Sequence, residues 1–295
     1  MTHQSIVNPD TKFVIAGDIY KVQRRPMHSH IVINNNYQGI RVIDPWNGND
    51  LLQVDFTEGY SNSGIINEWC FRADGQAVLI LNEEHRTANL LSLEINLPPY
   101  SLLCPSVQRV IDLRYLWEKN LFWITGGKSY GFFYLEWQGD IPIFVESTGM
   151  QARIAHRGWR RALDQLPLSN CNVLRVEPDK SQMLYHDFSE KSGQVGVVSW
   201  QDEISWSAPA PEEVSRLAFD GKHMFILHEY EVHALNEQGQ IETVYSVPEG
   251  FHYSGLDTIP AQDNKPAALV LVCNSLSDPH YNQFLVYELD SMVAN

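Results

Sequence analysis

Short, strongly apolar runs that end in polar residues or glycine recur along the whole chain: Ile31–Asn35, Ala77–Glu83, Leu121–Gly127, Met183–Asp187, Met224–Glu229 and Ala268–Asn274. Their length, their β-branched and aromatic content and the lack of a 3.6-residue period predict strands rather than helices. A polar loop and a second apolar run follow each one, at Ile40–Asp44, Asn89–Ile95, Gly131–Trp137, Val195–Trp200, Glu231–Asn236 and Gln283–Leu289. Polar turns such as Arg72-Ala73-Asp74-Gly75, Glu177-Pro178-Asp179-Lys180 and Phe219-Asp220-Gly221-Lys222 lead into the first run. A further strand ends most units, at Leu51–Phe56, Gln108–Leu113, Ile141–Glu146, Glu203–Ser207 and Gln240–Val247. The sixth unit lacks one, whereas Lys12–Ile19 is a strand without a unit. Pairing that opening strand with the last unit removes an exposed edge.

This rhythm predicts an all-β fold in which residues 1–295 form one domain, a six-bladed β-propeller closed by its N-terminal strand. It resembles the WD40-like β-propeller repeat proteins, whose four-stranded units of about 40–50 residues match the spacing. The Trp-Asp and Gly-His dipeptides of WD40 repeats are absent. A two-sheet sandwich is the rival fold, but it does not require six similar units. Residues 149–169, between the third and fourth units, break the rhythm. There Arg153, Arg157, Arg160 and Arg161 fall on one side at helical spacing, and Ala155, Trp159, Ala162 and Leu166 on another. That pattern predicts an inserted amphipathic helix.

Charge narrows the function classes. A net charge of −15 argues against a general nucleic-acid binder and favours basic partners. No apolar stretch is long enough to span a membrane, and the start shows no basic segment leading into an apolar one. Cys70, Cys104, Cys171 and Cys273 lie far apart without a Cys-x-x-Cys pair. Buried, reduced thiols and a cytoplasmic setting are the expectation.

Candidate chemistry is sparse. Gly127-Lys128-Ser129-Tyr130-Gly131 matches the G-x-S-x-G nucleophile elbow, which needs a strand turning into a helix. Here a strand follows instead, so Ser129 is not expected to be a nucleophile. His28 and His30 share one face of an extended chain, and His228 and His233 flank a hairpin beside Glu229 and Glu231; neither pair supplies the ligands a zinc site needs. Six-bladed propellers include metal-dependent lactonases, which hold a divalent cation at the ring axis. Asn67, Glu68, Asn170, Asn172 and Asp257 lie near the expected inner strands. A hydrolase with calcium or zinc there is therefore the alternative to a protein without cofactor.

The loops carry a stronger pattern. In a propeller, the loops from the second to the third strand of each unit gather on one face. Here they hold Tyr37, Tyr130, Phe188, Tyr230 and Tyr281, with Glu83, Glu84, Asp187, Glu229 and Asp278 among them. Aromatic side chains supply contact area at low entropic cost, and carboxylates steer a basic partner. The expectation is a non-enzymatic protein-binding propeller of scaffold, inhibitor or toxin-neutralising type. Its loop face would engage a basic protein, with Arg153, Arg157, Arg160 and Arg161 as a second contact.

Overall fold

The structure is a computed structural model that describes residues 7–36, 39–55, 66–72, 74–82, 87–93, 100–103, 110–116, 121–126, 130–139, 141–146, 171–177, 182–187, 193–199, 204–210, 214–228, 230–262, 264–278 and 280–289. Every regular element among them is a strand. The predicted helix at residues 149–169 lies outside the described residues. No described helix is long and apolar enough to cross a membrane.

The strands form six four-stranded antiparallel sheets. Strand β1 (Thr11–Ile15) stands first in the chain but belongs to the last sheet. The first sheet is β2 (Val22–Arg24), β3 (Ile31–Asn35), β4 (Gly39–Ile43) and β5 (Asp50–Asp55), and the second is β6 (Ile66–Phe71), β7 (Ala77–Asn82), β8 (Thr87–Ser92) and β9 (Tyr100–Leu103). The third comprises β10 (Val110–Leu116), β11 (Leu121–Gly126), β12 (Tyr130–Gln138) and β13 (Ile141–Glu146). The fourth comprises β14 (Cys171–Glu177), β15 (Gln182–Asp187), β16 (Gln194–Ser199) and β17 (Ile204–Pro209). In the fifth are β18 (Arg216–Phe219), β19 (Met224–His228), β20 (Glu231–Leu235) and β21 (Ile241–Ser246). The sixth runs β22 (Phe251–Ile259), β23 (Ala268–Ser275), β24 (Asn282–Glu288) and then β1, with Thr11 opposite Val286 and Ile15 opposite Asn282.

The first strands of the sheets stand side by side: β2 and β18 both neighbour β22, β14 neighbours β18, and β6 neighbours β10. Apolar side chains fill the space between consecutive sheets. Ile31, Ile33 and Ile43 of the first sheet pack against Val270, Val272 and Phe284 of the last, and Val32, Ile40 and Val42 pack against Trp69, Phe71 and Ile80 of the second. Leu184, Val195 and Val197 meet Leu217, Met224 and Ile226; Phe225, Val232 and Tyr245 meet Leu271, Leu285 and Tyr287. Each such burial contributes about 1.5–3 kcal/mol before entropic losses. Sheets covered on both faces explain why the central strands read as unbroken apolar runs rather than alternating ones. The last strand of a sheet meets solvent, and β17 and β21 accordingly expose Ile204 and Ile241.

One sequence assignment is corrected. The segment Gln108–Leu113 was expected to end the second unit, but β10 opens the third sheet, and the second sheet ends on β9 instead. Its four residues, Tyr100–Leu103, lie between Pro98-Pro99 and Cys104-Pro105 and are too short to show a period. Cys70 and Cys273 are buried and not disulfide-bonded.

Candidate functional site

The alternation of strand direction places two kinds of connection at one end of the sheets: the loops from second to third strand, and the links from one sheet to the next. The link from β1 to β2, residues 16–21, is held by asparagine side chains at the ends of neighbouring strands. Asn34, fully buried at the end of β3, accepts from the backbone N–H groups of Tyr20 and Lys21 (both 2.9 Å) and donates to the carbonyls of Asp18 and Asn36 (both 2.6 Å). Asn274, near the end of β23, donates to Ile19 O at 2.7 Å, and Asn282 donates to Gly17 O. Asn36 Oδ1 accepts from Asp18 N at 2.9 Å. Polar residues that end apolar strands therefore satisfy the backbone of a link that forms no ladder of its own.

Where the first strands meet, Asp257 of β22 is fully buried. Its Oδ2 accepts from Arg24 N of β2 and from Arg175 Nη2 of β14, so three sheets converge on one carboxylate. Arg175 Nε also lies 3.6 Å from Glu177 Oε1, and Thr258 Oγ1 donates to Phe219 O at 3.0 Å. Asp257 was an expected ligand of an axial cation, but a guanidinium occupies that side of the carboxylate. The shared carboxylate joins three sheets, and the Arg175 guanidinium offsets part of the cost of burying its charge. Asn67, Glu68 and Asn172 lie on β6 and β14; Asn170 lies outside the described residues. Among the described residues no three His, Cys, Asp or Glu side chains gather as a metal site.

The other expected chemistry resolves simply. Tyr130 and Gly131 lie on β12, hydrogen-bonded to β11, so a strand follows the G-x-S-x-G segment, whose Gly127–Ser129 lie outside the described residues. His28 and His30 lie in the turn between β2 and β3 rather than on an extended strand, with their rings stacked 5.7 Å apart. His233 Nε2 is 3.1 Å from Glu231 Oε2 across the hairpin from His228.

On the loop face, the described residues bring together an exposed apolar surface from the last two sheets. Leu276 is 67% exposed, Tyr230 61% and Tyr281 45%. Phe251 lies beneath, its ring 6.1 Å from that of Tyr281. Backbone hydrogen bonds tie the pieces: Leu276 N donates to Gly250 O at 2.9 Å, and Val247 N to Tyr230 O at 3.2 Å. The loop after β23 is rigidified from within. Ser275 Oγ accepts from Ser277 N and Asp278 N, Asp278 Oδ1 accepts from His280 N, and Asn282 Oδ1 accepts from Ser275 N. These side-chain turns hold Leu276 and Tyr281 outward.

Acids stand beside these residues in the chain: Glu231 next to Tyr230, Glu249 next to Gly250, and Asp278 in the loop between Leu276 and Tyr281. From His223 to Asn295 the sequence holds a single Lys or Arg, Lys265, against ten Asp and Glu residues. That asymmetry was legible in the sequence and would have singled out the last two units. Of the expected loop residues, the structure brings together Tyr230, Asp278 and Tyr281. Asp187 ends β15 and is buried, so it presents no carboxylate to solvent there. Tyr130 opens β12. Tyr37, Glu83, Glu84, Phe188, Glu229, Arg153, Arg157, Arg160 and Arg161 lie outside the described residues. Glu249, Phe251 and Leu276 were not anticipated, because Phe251 reads as core and Leu276 as an isolated loop residue.

No family model and no curated protein matches the sequence. Among solved structures, the chain is similar to the β-propeller domain of Cps50 (Swd1) from Myceliophteria thermophila, with a TM-score of 0.53 at 9% identity, covering 95% of this chain and 100% of that one. At that identity the likeness carries fold alone. The strand rhythm, the neighbouring first strands and this structural likeness together make the chain a β-propeller.

Proposed function

We propose that the six sheets are the blades of one closed six-bladed domain, and that this disc binds another protein, a basic one, on the face that carries Tyr230, Leu276 and Tyr281. The observation that carries the reading is that Leu276 and Tyr230, the two most exposed loop apolar residues of that face among the described residues, lie with Tyr281 in the stretch from His223 to Asn295, where one Lys stands against ten Asp and Glu residues. Single exposed apolar residues are ordinary, but a contiguous group rimmed by charge marks an interaction surface. Aromatic and leucine side chains held by hydrogen-bonded loops lose little entropy on contact. Glu231, Glu249 and Asp278 raise the encounter rate with a cationic surface and disfavour acidic competitors. Tyr37, Glu83, Glu84, Tyr130, Phe188 and Glu229 extend the same surface, and the arginines of residues 149–169 add a second contact. Buried Cys70 and Cys273, which form no disulfide, suit a reducing, cytoplasmic setting.

The test places a photo-crosslinking amino acid at position 276 in the native host and identifies the adducts. A basic protein captured at 276, but not from position 204 on the outer rim, is the expected outcome. Glu249→Lys should diminish the adduct while leaving the melting temperature unchanged. Equal capture at both positions, or indifference to Glu249→Lys, refutes the reading.

A further inference from the structure

Histidine is concentrated where fixed positive charge is scarce. Of the chain's 11 histidines, five lie from His223 to Asn295, the stretch that holds ten Asp and Glu residues and, as Lys or Arg, Lys265 alone. Lys265 lies between β22 and β23, at the end of the sheets away from the loop face, and pairs there with Asp44 at 3.2 Å. Three of the five histidines stand beside the exposed apolar residues of the loop face. His228 ends β19 and His233 lies on β20, so both belong to the hairpin whose turn carries Tyr230. His280 is exposed and directly precedes Tyr281.

The fold sets these imidazoles among the carboxylates of that face. His233 Nε2 lies 3.1 Å from Glu231 Oε2, and the rings of His228 and His233 are 6.1 Å apart. Glu231 stands opposite His228 in the β19–β20 ladder, so both histidines and the carboxylate share one side of the sheet. On that side β21 sets Val244 opposite His233 and Ser246 opposite Glu231. The fourth sheet packs there through Leu184, Val195, Val197 and Ala208, and its β15 ends in the buried His186 and Asp187. Arg216 opens β18 at the same end, exposed, with Nη1 donating to Ser215 O at 3.0 Å. Around His280, Asp278 accepts from its backbone N–H at 2.9 Å, and Glu249 precedes Gly250, whose carbonyl accepts from Leu276 N. Asp18 follows Gly17, whose carbonyl accepts from Asn282. Glu229 lies outside the described residues.

Histidine is the side chain whose charge ordinarily changes between pH 8 and 5, a range in which lysine stays charged and carboxylates stay ionised. A proton on His233 turns its contact with Glu231 into an ion pair and cancels the charge that Glu231 offers to a partner. Protons on His228 and His280 act in the same way beside Glu231 and Asp278. Three protonated imidazoles balance Glu231, Glu249 and Asp278, and the apolar residues then lack the negative field that selects a basic protein.

We propose that the Tyr230 surface is gated by pH: it holds its basic partner while His228, His233 and His280 are neutral and releases it as they take up protons. The inference rests on the reading of that surface as a binding face. By linkage, the bound partner in turn expels protons from the histidines.

The full chain, carrying a photo-crosslinking amino acid at position 276, is titrated with a labelled, end-capped ten-residue peptide of alternating lysine and leucine. Ionic strength is fixed, and the titration is run at pH 7.5 and 5.5. The peptide concentration for half-maximal adduct should rise roughly tenfold at the lower pH. With His228, His233 and His280 all replaced by glutamine the rise should be less than about twofold, because glutamine has no proton to gain. His280→Gln alone, an exposed change that leaves the core intact, should lose part of the response; His28→Gln with His30→Gln, at the far end of the sheets, should lose none. An equal rise in the triple variant overturns the proposal, since it assigns the effect to unfolding or to titration elsewhere. Adduct that forms at pH 7.5 and is indifferent to pH overturns the gate alone, whereas no adduct at pH 7.5 overturns the binding face and the gate with it.

Discussion

Replacing Asn34 by leucine removes four hydrogen bonds: three hold the link between the last sheet and the first, at Tyr20 N, Lys21 N and Asp18 O, and the fourth fixes Asn36 O in the loop after β3. Leucine is close in volume and the site is fully buried, so packing changes little and the polar loss dominates. At about 1 kcal/mol for each bond the cost is about 4 kcal/mol, and more if the backbone groups find no water. An unfolding entropy of roughly 2.1 cal/mol/K per residue gives about 0.6 kcal/mol/K for a chain of 295 residues. The melting temperature should therefore fall by about 6 °C. Asn274→Leu removes a single bond to the same link, to Ile19 O, and should cost about a quarter as much. Asn34→Asp keeps the acceptor for Tyr20 and Lys21 but loses both donors and buries a carboxylate oxygen against the carbonyls of Asp18 and Asn36, so it should cost at least as much as Asn34→Leu. Differential scanning calorimetry measures all three, and amide exchange at Tyr20 and Lys21 should quicken in Asn34→Leu. The reasoning fails if Asn34→Leu melts within about 1 °C of the wild type, or if Asn274→Leu costs as much.

Asp257→Leu takes from the part-buried Arg175 the carboxylate that three sheets share and should cost about 3–5 kcal/mol, whereas Asp257→Leu combined with Arg175→Met should recover most of it; urea titration that finds the two losses additive contradicts the coupling. Gly75→Ala forces a Cβ against Pro26 O at a left-handed backbone and should destabilise by more than about 1 kcal/mol, read as a lowered melting temperature. Acid should unfold the protein in two stages. Burial lowers His30 and His186 below their ordinary value of 6.5, with the cations near His30 adding to it and Asp187 opposing it at His186. At Asp220 and Asp74 burial raises the carboxyl, but hydrogen bonds from His223 and Lys222, and from Arg72 and Gln76, outweigh it and leave both below 3.8. In every case the unfolded chain binds the proton more readily, so stability is full above pH 6.5, declines from there as the histidines are charged, and declines again below 3.8. A pH-melting profile that is flat between 7 and 5 contradicts the histidine part.

The second strand of each unit was the most legible element, with Ile31–Asn35 placed to the residue, because a strand covered on both faces has no polar position to interrupt its apolar run. Strand β1 was read from the same logic: an apolar segment without a unit needs an edge to pair with, and β24 supplies it. Strand β9 was not, since Tyr100–Leu103 is too brief to carry a period, and the longer Val110–Leu116 drew the assignment toward the wrong sheet. The tyrosines Tyr230 and Tyr281 announced themselves by residue type and loop position, but Phe251 and Leu276 joined them only through contacts across 25 or more residues.

Sequence alone determined the apolar second strand of each unit, the rhythm of the repeats and the acidity of the stretch from His223 onward, because periodicity and charge are local properties of the chain. Tertiary structure alone decided that Asp257 would meet Arg24 and Arg175, and that Asp187 would be buried. Each of these depends on which side chains separate sheets bring to one point, and no local pattern records such a meeting.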